Sequence, residues 1–196
     1  GGFFFFIMKE LYLSSMRELA SPKNLALCGV MGALSMVLGI VASIQIGPYI
    51  KIGFSGLPNR IVECLFGPVI GCIFGGTMDI LKFIAKPDGP FFFGFTFDAM
   101  LAGVLYGSIL YKKPVTIPRV FVAELAAKVI VNCGFNTLWI SVLYGKGFLA
   151  ILPMRLLKNA IMLPIDTIIT FAMLTLATQI ATQFHFSKPK LNESKK

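Results

Sequence analysis

The chain has 196 residues and a formal net charge of +9, with 56% hydrophobic positions, 14% charged positions and 19 glycines. A soluble domain holds about 25% charged residues and about 45–50% apolar residues with glycine included, and a chain this short has too little interior to hide the excess. These values exclude disorder, a collagen repeat and a disulfide scaffold, and they make lipid the solvent of the outer face.

Residues 1–7, GGFFFFI, precede Met8 and read as an addition ahead of a native start. Residues 8–22 interleave Leu11, Leu13, Met16 and Leu19 with Lys9, Glu10, Arg17 and Glu18. That is the pattern of an amphipathic segment on a membrane surface, and Ser21-Pro22 ends it. Residues 23–185 read as one membrane domain of six helices, all-α in class. The first span is the uncharged stretch from Leu25 to Ile50, closed by Gly47-Pro48. The second (about Phe54 to Phe66) and third (about Pro68 to Phe83) are separated only by Gly67-Pro68, so they form a tight hairpin. Two prolines in residues 86–94, KPDGPFFFG, bar a helix there. The fourth span runs from about Thr96 to Tyr111 and closes at Lys112-Lys113-Pro114. The fifth runs from about Pro118 to Tyr144 and breaks at Gly145-Lys146-Gly147. The sixth runs from about Pro153 to Gln183, is interrupted at Pro164, and leads into a basic tail, residues 186–196.

Six spans put both termini on one side. The segments on that side hold ten of the eighteen basic residues, among them Lys9, Arg17, Lys23, Lys112, Lys113 and Arg119. The positive-inside rule then predicts a multi-pass cell-membrane protein with cytoplasmic N- and C-termini. The outer loops 46–53, 86–95 and 145–152 still carry Lys51, Lys86 and Lys146, with Arg155 and Lys158 just inside the sixth span. Only Asp88 and Asp98 oppose them. A basic outer mouth points to an anionic ligand.

Ionisable groups inside a membrane are costly and are paired or functional. The fifth span places Glu124, Lys128, Asn132 and Asn136 at successive i,i+4 steps, with Trp139 beside them. Glu124 and Lys128 read as a structural pair near the inner surface, and Asn136 beside Trp139 as a ligand contact. On the sixth span Arg155, Asn159, Met162 and Asp166 share a face. Arg155 and Lys158 either snorkel to phosphate head groups or hold the ligand, and the bidentate grip of a guanidinium on a carboxylate favours the second reading for Arg155. Asp79–Lys82 and Arg60–Glu63, each at i,i+3, read as mutually neutralising pairs. The run Phe91-Phe92-Phe93-Gly94-Phe95 is either an interfacial belt or a set of rings that stack on a ligand. Beside it, Asp98 is the best single carboxylate for the amino edge of a heterocycle. Gly29–Ala33, Ser35–Gly39, Gly67–Gly71–Gly75 and Gly103–Gly107 are small-residue ladders that admit a close helix, within the chain or from a partner.

Cys28, Cys64, Cys72 and Cys133 form no C-x-x-C pair and read as reduced apolar residues, and His185 is the sole histidine. No metal or other cofactor is expected. There is no P-loop, H-E-x-x-H or G-x-S-x-G, so no catalytic residue is assigned. The positive charge is explained by the bilayer rather than by nucleic acid. Binding or transport is favoured by elimination, against a small membrane enzyme acting on lipids.

Gly56-Leu57-Pro58, then Leu65-Phe66-Gly67-Pro68 with Gly71 and Gly75, then Asp79, resemble the second and third helices of S components. These are the substrate-binding subunits of energy-coupling-factor (ECF) vitamin transporters. Pro90 to Gly107, with Phe95-Thr96, Asp98-Ala99 and Gly103, continues the likeness. Asn136-Thr137-Leu138-Trp139-Ile140-Ser141, Leu143-Tyr144-Gly145-Lys146 and Pro153-Met154-Arg155-Leu156-Leu157-Lys158-Asn159 resemble the folate-specific members. The resemblance covers about residues 24–185. It implies a six-helix S-component bundle with an outward vitamin pocket closed by loops 46–53, 86–95 and 145–152. It also implies folate as ligand, two ATPase subunits and a transmembrane coupling subunit on other chains, and release by tipping of the whole subunit in the bilayer. Another vitamin is the alternative within the family. Folate joins a flat pterin and an aromatic linker to a glutamate with two carboxylates. The candidate ligand residues are Phe92, Phe93, Asp98, Asn136, Trp139, Arg155, Lys158 and Asn159. Gly29 and Ala33 are the candidate docking face for the coupling subunit.

Overall fold

The computed structural model describes residues 2–46, 50–87 and 89–183. In chain order come α1 (Gly2–Glu18), α2 (Pro22–Val41), β1 (Ser43–Ile46), β2 (Ile50–Gly53), α3 (Leu57–Phe66), α4 (Pro68–Ala85) and α5 (Phe93–Leu110). They are followed by α6 (Ile117–Ala126), a π-helical stretch Ala127–Asn136, α7 (Thr137–Tyr144) and α8 (Phe148–Gln183). Prolines stand in the first turn of α2, α3, α4 and α6, where the missing N–H costs nothing.

Among the described residues five stretches are long and apolar enough to cross a membrane: α2, α4, α5, the continuous run Ile117–Tyr144, and α8. The second expected span is α3, which has only 10 residues. It rises about 15 Å, half of a hydrocarbon core. Its Val62, Glu63, Cys64, Leu65 and Phe66 are all buried, so it is an interior half-helix rather than a lipid-facing one.

The first expected span is also shorter than its uncharged length. It ends at Val41, and Ser43–Ile46 pairs antiparallel with Ile50–Gly53, Ser43 opposite Gly53 and Ile46 opposite Ile50. Ser-Ile-Gln-Ile and Ile-Lys-Ile alternate with a period of two, a strand pattern that the absence of charge masks. The last helix begins at Phe148 rather than at Pro153, and Pro153 and Pro164 both lie inside it. The amphipathic segment expected at 8–22 is part of α1, which starts at Gly2. Asp88, His185 and the tail 186–196 lie outside the described residues, as do residues 47–49 of the first outer loop.

Successive helices run antiparallel. One end of the bundle therefore carries the β1–β2 hairpin and the connections before α5 and α8. The other end carries α1, Gly67 and residues 111–116. Helices α4 and α5 touch backbone to backbone. A Cβ at Gly103 would lie 2.2 Å from the Gly71 carbonyl oxygen. In lipid, where apolar surface gains little from leaving its solvent, such contact is the main source of helix cohesion. A core of Cys64, Tyr106, Leu110, Val120, Ala123, Ala127 and Leu174 joins α3, α5, α6 and α8.

At the α1 end, Ser15 bridges the break between α3 and α4. Its fully buried hydroxyl donates to the Phe66 carbonyl at 2.6 Å and accepts from the Val69 and Ile70 N–H groups at 3.1 and 3.4 Å. It serves the last carbonyls of one helix and the first amides of the next, groups that helices leave unpaired. Gly67 between them has φ +89°, and a Cβ there would lie 2.7 Å from the Tyr111 ring. Nearby, Lys113 donates to the Ser108 carbonyl at 3.0 Å. Partial burial and then Arg119 hold its ammonium below the ordinary lysine value. Ser15→Ala should lower stability by about 1–3 kcal/mol, since two buried amides and a carbonyl lose their partner. Thermal unfolding in detergent reads the loss, and faster amide exchange confined to α1 and residues 66–70 locates it.

Candidate ligand-binding site

A cavity of about 240 Å³ opens between α3, α5, the α6–π run and α8. Gly53, Phe54, Gly56 and Leu57 form its wall at the hairpin end, and Arg60, Tyr106, Glu124, Lys128, Asn132, Lys158, Asn159, Asp166 and Thr170 supply its polar wall.

The π-helical stretch decides which side chains reach the cavity. On an α-helix, i,i+4 neighbours drift by about 40° per step. The wider π turn, closed by i→i+5 bonds, rotates less per residue, so the drift reverses and the ladder straightens. Glu124, Lys128 and Asn132 consequently all line the cavity, while Asn136 reaches across to α5. Thr137 Oγ1 donates to the Asn132 carbonyl at 2.9 Å inside this widened turn.

The charges on the wall are held in place. Tyr106 and Thr170 hydroxyls donate to the two Glu124 oxygens at 2.7 and 3.0 Å. Arg60 Nη1 lies 3.0 and 2.8 Å from the Glu63 oxygens, and its guanidinium stands 3.5 Å from the Tyr106 ring centroid. Lys128 Nζ lies 2.5 Å from Asp166 Oδ2. The expected Arg60–Glu63 pair is thus present. The expected Glu124–Lys128 pair is replaced by partners on other helices, because packing brings Thr170 and Asp166 of α8 nearer than one helical turn does. On α4, Asp79 accepts from Thr96 at 2.8 Å, and Lys82 donates to the Ser55 carbonyl at 3.2 Å.

One turn nearer the hairpin end sits a second cluster, built from residues the sequence singles out. Asp98 is buried and accepts from Asn136 Nδ2 at 3.0 Å and from Trp139 Nε1 at 3.1 Å. Arg155 Nη2 donates to Asn136 Oδ1 at 2.5 Å. The chain Trp139–Asp98–Asn136–Arg155 ties α5, α7 and α8 together. Phe92 packs on Trp139 with ring centroids 5.6 Å apart, and Phe135 stacks on it at 6.2 Å. Phe93 is 66% exposed and is not brought into this cluster, because it starts α5 on the side facing away from the bundle. Lys158 and Asn159 line the cavity, and Asn159 also donates to Cys133 Sγ at 3.3 Å. Gly29 and Ala33 face outward on α2, and a Cβ at Gly29 would meet nothing within 4 Å. Sequence reasoning missed Arg60, Tyr106 and Thr170 as walls. Thr170, an i,i+4 step beyond Asp166, was the available signal.

The family model of the ECF transporter substrate-specific component matches residues 23–174. The chain belongs to this family. It is a substrate-binding subunit of a multi-pass membrane transporter and not an enzyme, so the lipid-enzyme reading falls. It is similar to the folate transporter FolT of Clostridium novyi (strain NT), with 38% identity over 70% of this chain and 80% of that protein. It is also similar to the folate transporter FolT of Leuconostoc mesenteroides subsp. mesenteroides, with 28% identity over 78% of this chain and 84% of that one. A solved structure of FolT bound with folic acid superposes with a TM-score of 0.74 and 32% identity, covering 79% of this chain and 94% of that chain. The biotin S component of an ECF-type ABC transporter shares the fold, with a TM-score of 0.61 and 20% identity over 84% of this chain and 95% of that one. The S-component fold agrees with the expected all-helical membrane bundle, in which α3 is the short member.

Proposed function

We propose that this S component binds folate at high affinity on the outer face of the cell membrane and hands it to an ECF coupling subunit and two ATPase subunits for uptake. The observation that carries this reading is its likeness to folate transporters over most of their length. The site chemistry supports it. A flat pterin and an aromatic linker suit the Phe92–Trp139 rings. Asp98 and Asn136 suit an amino-pyrimidinone edge, and Arg155, Lys158 and Asn159 suit carbonyl or carboxylate oxygens. Phe93 takes no part in this reading.

The experiment is equilibrium binding of a vitamin panel to the detergent-purified chain, without ATP or partners. Folate should saturate one site and change the emission of Trp139, the one tryptophan. A clear signal with a different vitamin and none with folate overturns the assignment. The termini are proposed to be cytoplasmic. Labelling of cysteines placed at Lys112 and Lys146 in intact cells should then mark only the second.

The open face at Gly29 and Ala33 supports docking of the coupling subunit there. Gly29→Trp should abolish assembly and folate uptake while isolated protein binds folate as before, because the cavity is lined by other helices. Pull-down, uptake and titration read the three effects. Normal assembly refutes the docking face.

A further inference from the structure

The cavity wall contains an ion pair whose members are unequally buried. Lys128 Nζ lies 2.5 Å from Asp166 Oδ2, and their side chains are 9% and 28% exposed. Both line the cavity, as does Lys158, eight residues before Asp166 on α8. A buried ammonium within a membrane needs a close anion, because its desolvation is offset only by a partner. The more exposed carboxylate can turn into the open cavity at smaller cost. The neighbouring carboxylates are held elsewhere, Glu124 by two hydroxyls and Glu63 by Arg60. Lys128 must therefore keep an anion, while Asp166 can leave it when another takes its place.

We propose that Asp166 is a resident counter-ion that a ligand carboxylate displaces from Lys128. The proposal rests on reading the cavity as the folate site, and it adds a specificity element to that reading. An anionic tail enters by exchange, and an uncharged one leaves the pair closed. Because the resident carboxylate competes with the ligand, removing its charge strengthens binding of the anion. A residue that only supports the fold would not do this, and one that contacts the ligand favourably would do the reverse.

The test titrates the purified full chain with folate and with pteroamide, which keeps the rings, the linker and the first amide carbonyl but carries no carboxylate. The parent should bind folate at least about tenfold more tightly than pteroamide. Asp166→Asn keeps the shape and an acceptor for Lys128. It should tighten folate by roughly five- to tenfold and leave pteroamide unchanged, with Asp166→Ser as the second neutral variant. Lys128→Met should bring folate down to the level of pteroamide. Equal changes for the two ligands, or weaker folate in the neutral variants, overturn the exchange. So does failure of both neutral variants to fold, since the carboxylate then cannot leave Lys128. A parent that binds neither ligand refutes the folate reading, whereas a parent that binds folate with no response to Asp166 refutes the exchange alone.

Discussion

Gly103→Leu should leave no folded bundle. The first added carbon would lie 2.2 Å from the Gly71 carbonyl oxygen and 2.4 Å from its carbon. These are backbone atoms of a helix, so no rotamer change relieves the clash. Helices α4 and α5 would have to separate along their length, and Gly75 against Ala99 and Gly107 against Pro68 would open with them. Overpacking of side chains costs about 1–3 kcal/mol, and a backbone obstacle exceeds that range. Size-exclusion profile and thermal unfolding in detergent read the result. Gly29→Leu makes a similar change where a Cβ meets nothing, and should unfold like the parent. A Gly103→Leu protein with the parent's midpoint would show that the α4–α5 contact is looser than described.

Arg155→Ala should lower folate affinity by about 10- to 150-fold, equivalent to roughly 1.5–3 kcal/mol for a charge-assisted hydrogen bond in a dry site. Arg155 also orients Asn136, which in turn holds Asp98, so the loss extends beyond one contact. Asp98→Ala should cost a similar amount, and the double variant less than the sum, because both disrupt one chain of hydrogen bonds. Lysine at 155 should not rescue, since a compact ammonium lacks the planar fork. Calorimetric titration measures all four proteins. If Arg155→Ala and Asp98→Ala both bind folate like the parent, the ligand lies elsewhere.

The bundle was legible because its spans are marked by chemistry that acts locally. Pro22, Pro58, Pro68 and Pro118 open helices, and Gly145 closes one in a left-handed turn with φ +64°. The cluster at Asp98 was legible because polar residues in apolar stretches are few. Asn136, Trp139 and Arg155 could be chosen one by one, and folding brought them to one carboxylate. What escaped depends on distance in sequence. Absence of charge gave a length for the first span but not its end, because α2 from Leu25 onward and the first strand, Ser43–Ile46, are both uncharged. Glu124 and Lys128 were paired by periodicity, yet Glu124 is held by Tyr106 of α5 and Thr170 of α8, and Lys128 by Asp166 of α8, between 18 and 46 residues away. No local rule signals a π turn. The straight line of Glu124, Lys128, Asn132 and Asn136 is therefore correct for a reason that helical spacing does not supply.

Helix α8 has 36 residues, against 20 in α2. Its length is about 54 Å, while a bilayer interior is about 30 Å thick. Even at a tilt of about 40°, the steep end of the observed range, roughly 10 Å must stand outside the hydrocarbon. The six residues Thr178–Gln183 account for about that length, and Thr178, Gln179, Thr182 and Gln183 give the stub a wet surface. The hydroxyls of Thr178 and Thr182 turn back on the helix's own carbonyls at 2.8 and 2.7 Å, so they are satisfied without a partner from another helix. The stub belongs to the same continuous helix as Arg155, Lys158 and Asp166, so the α1 end of the molecule and the cavity wall share one element, and Pro164 between them marks the turn where that element can bend.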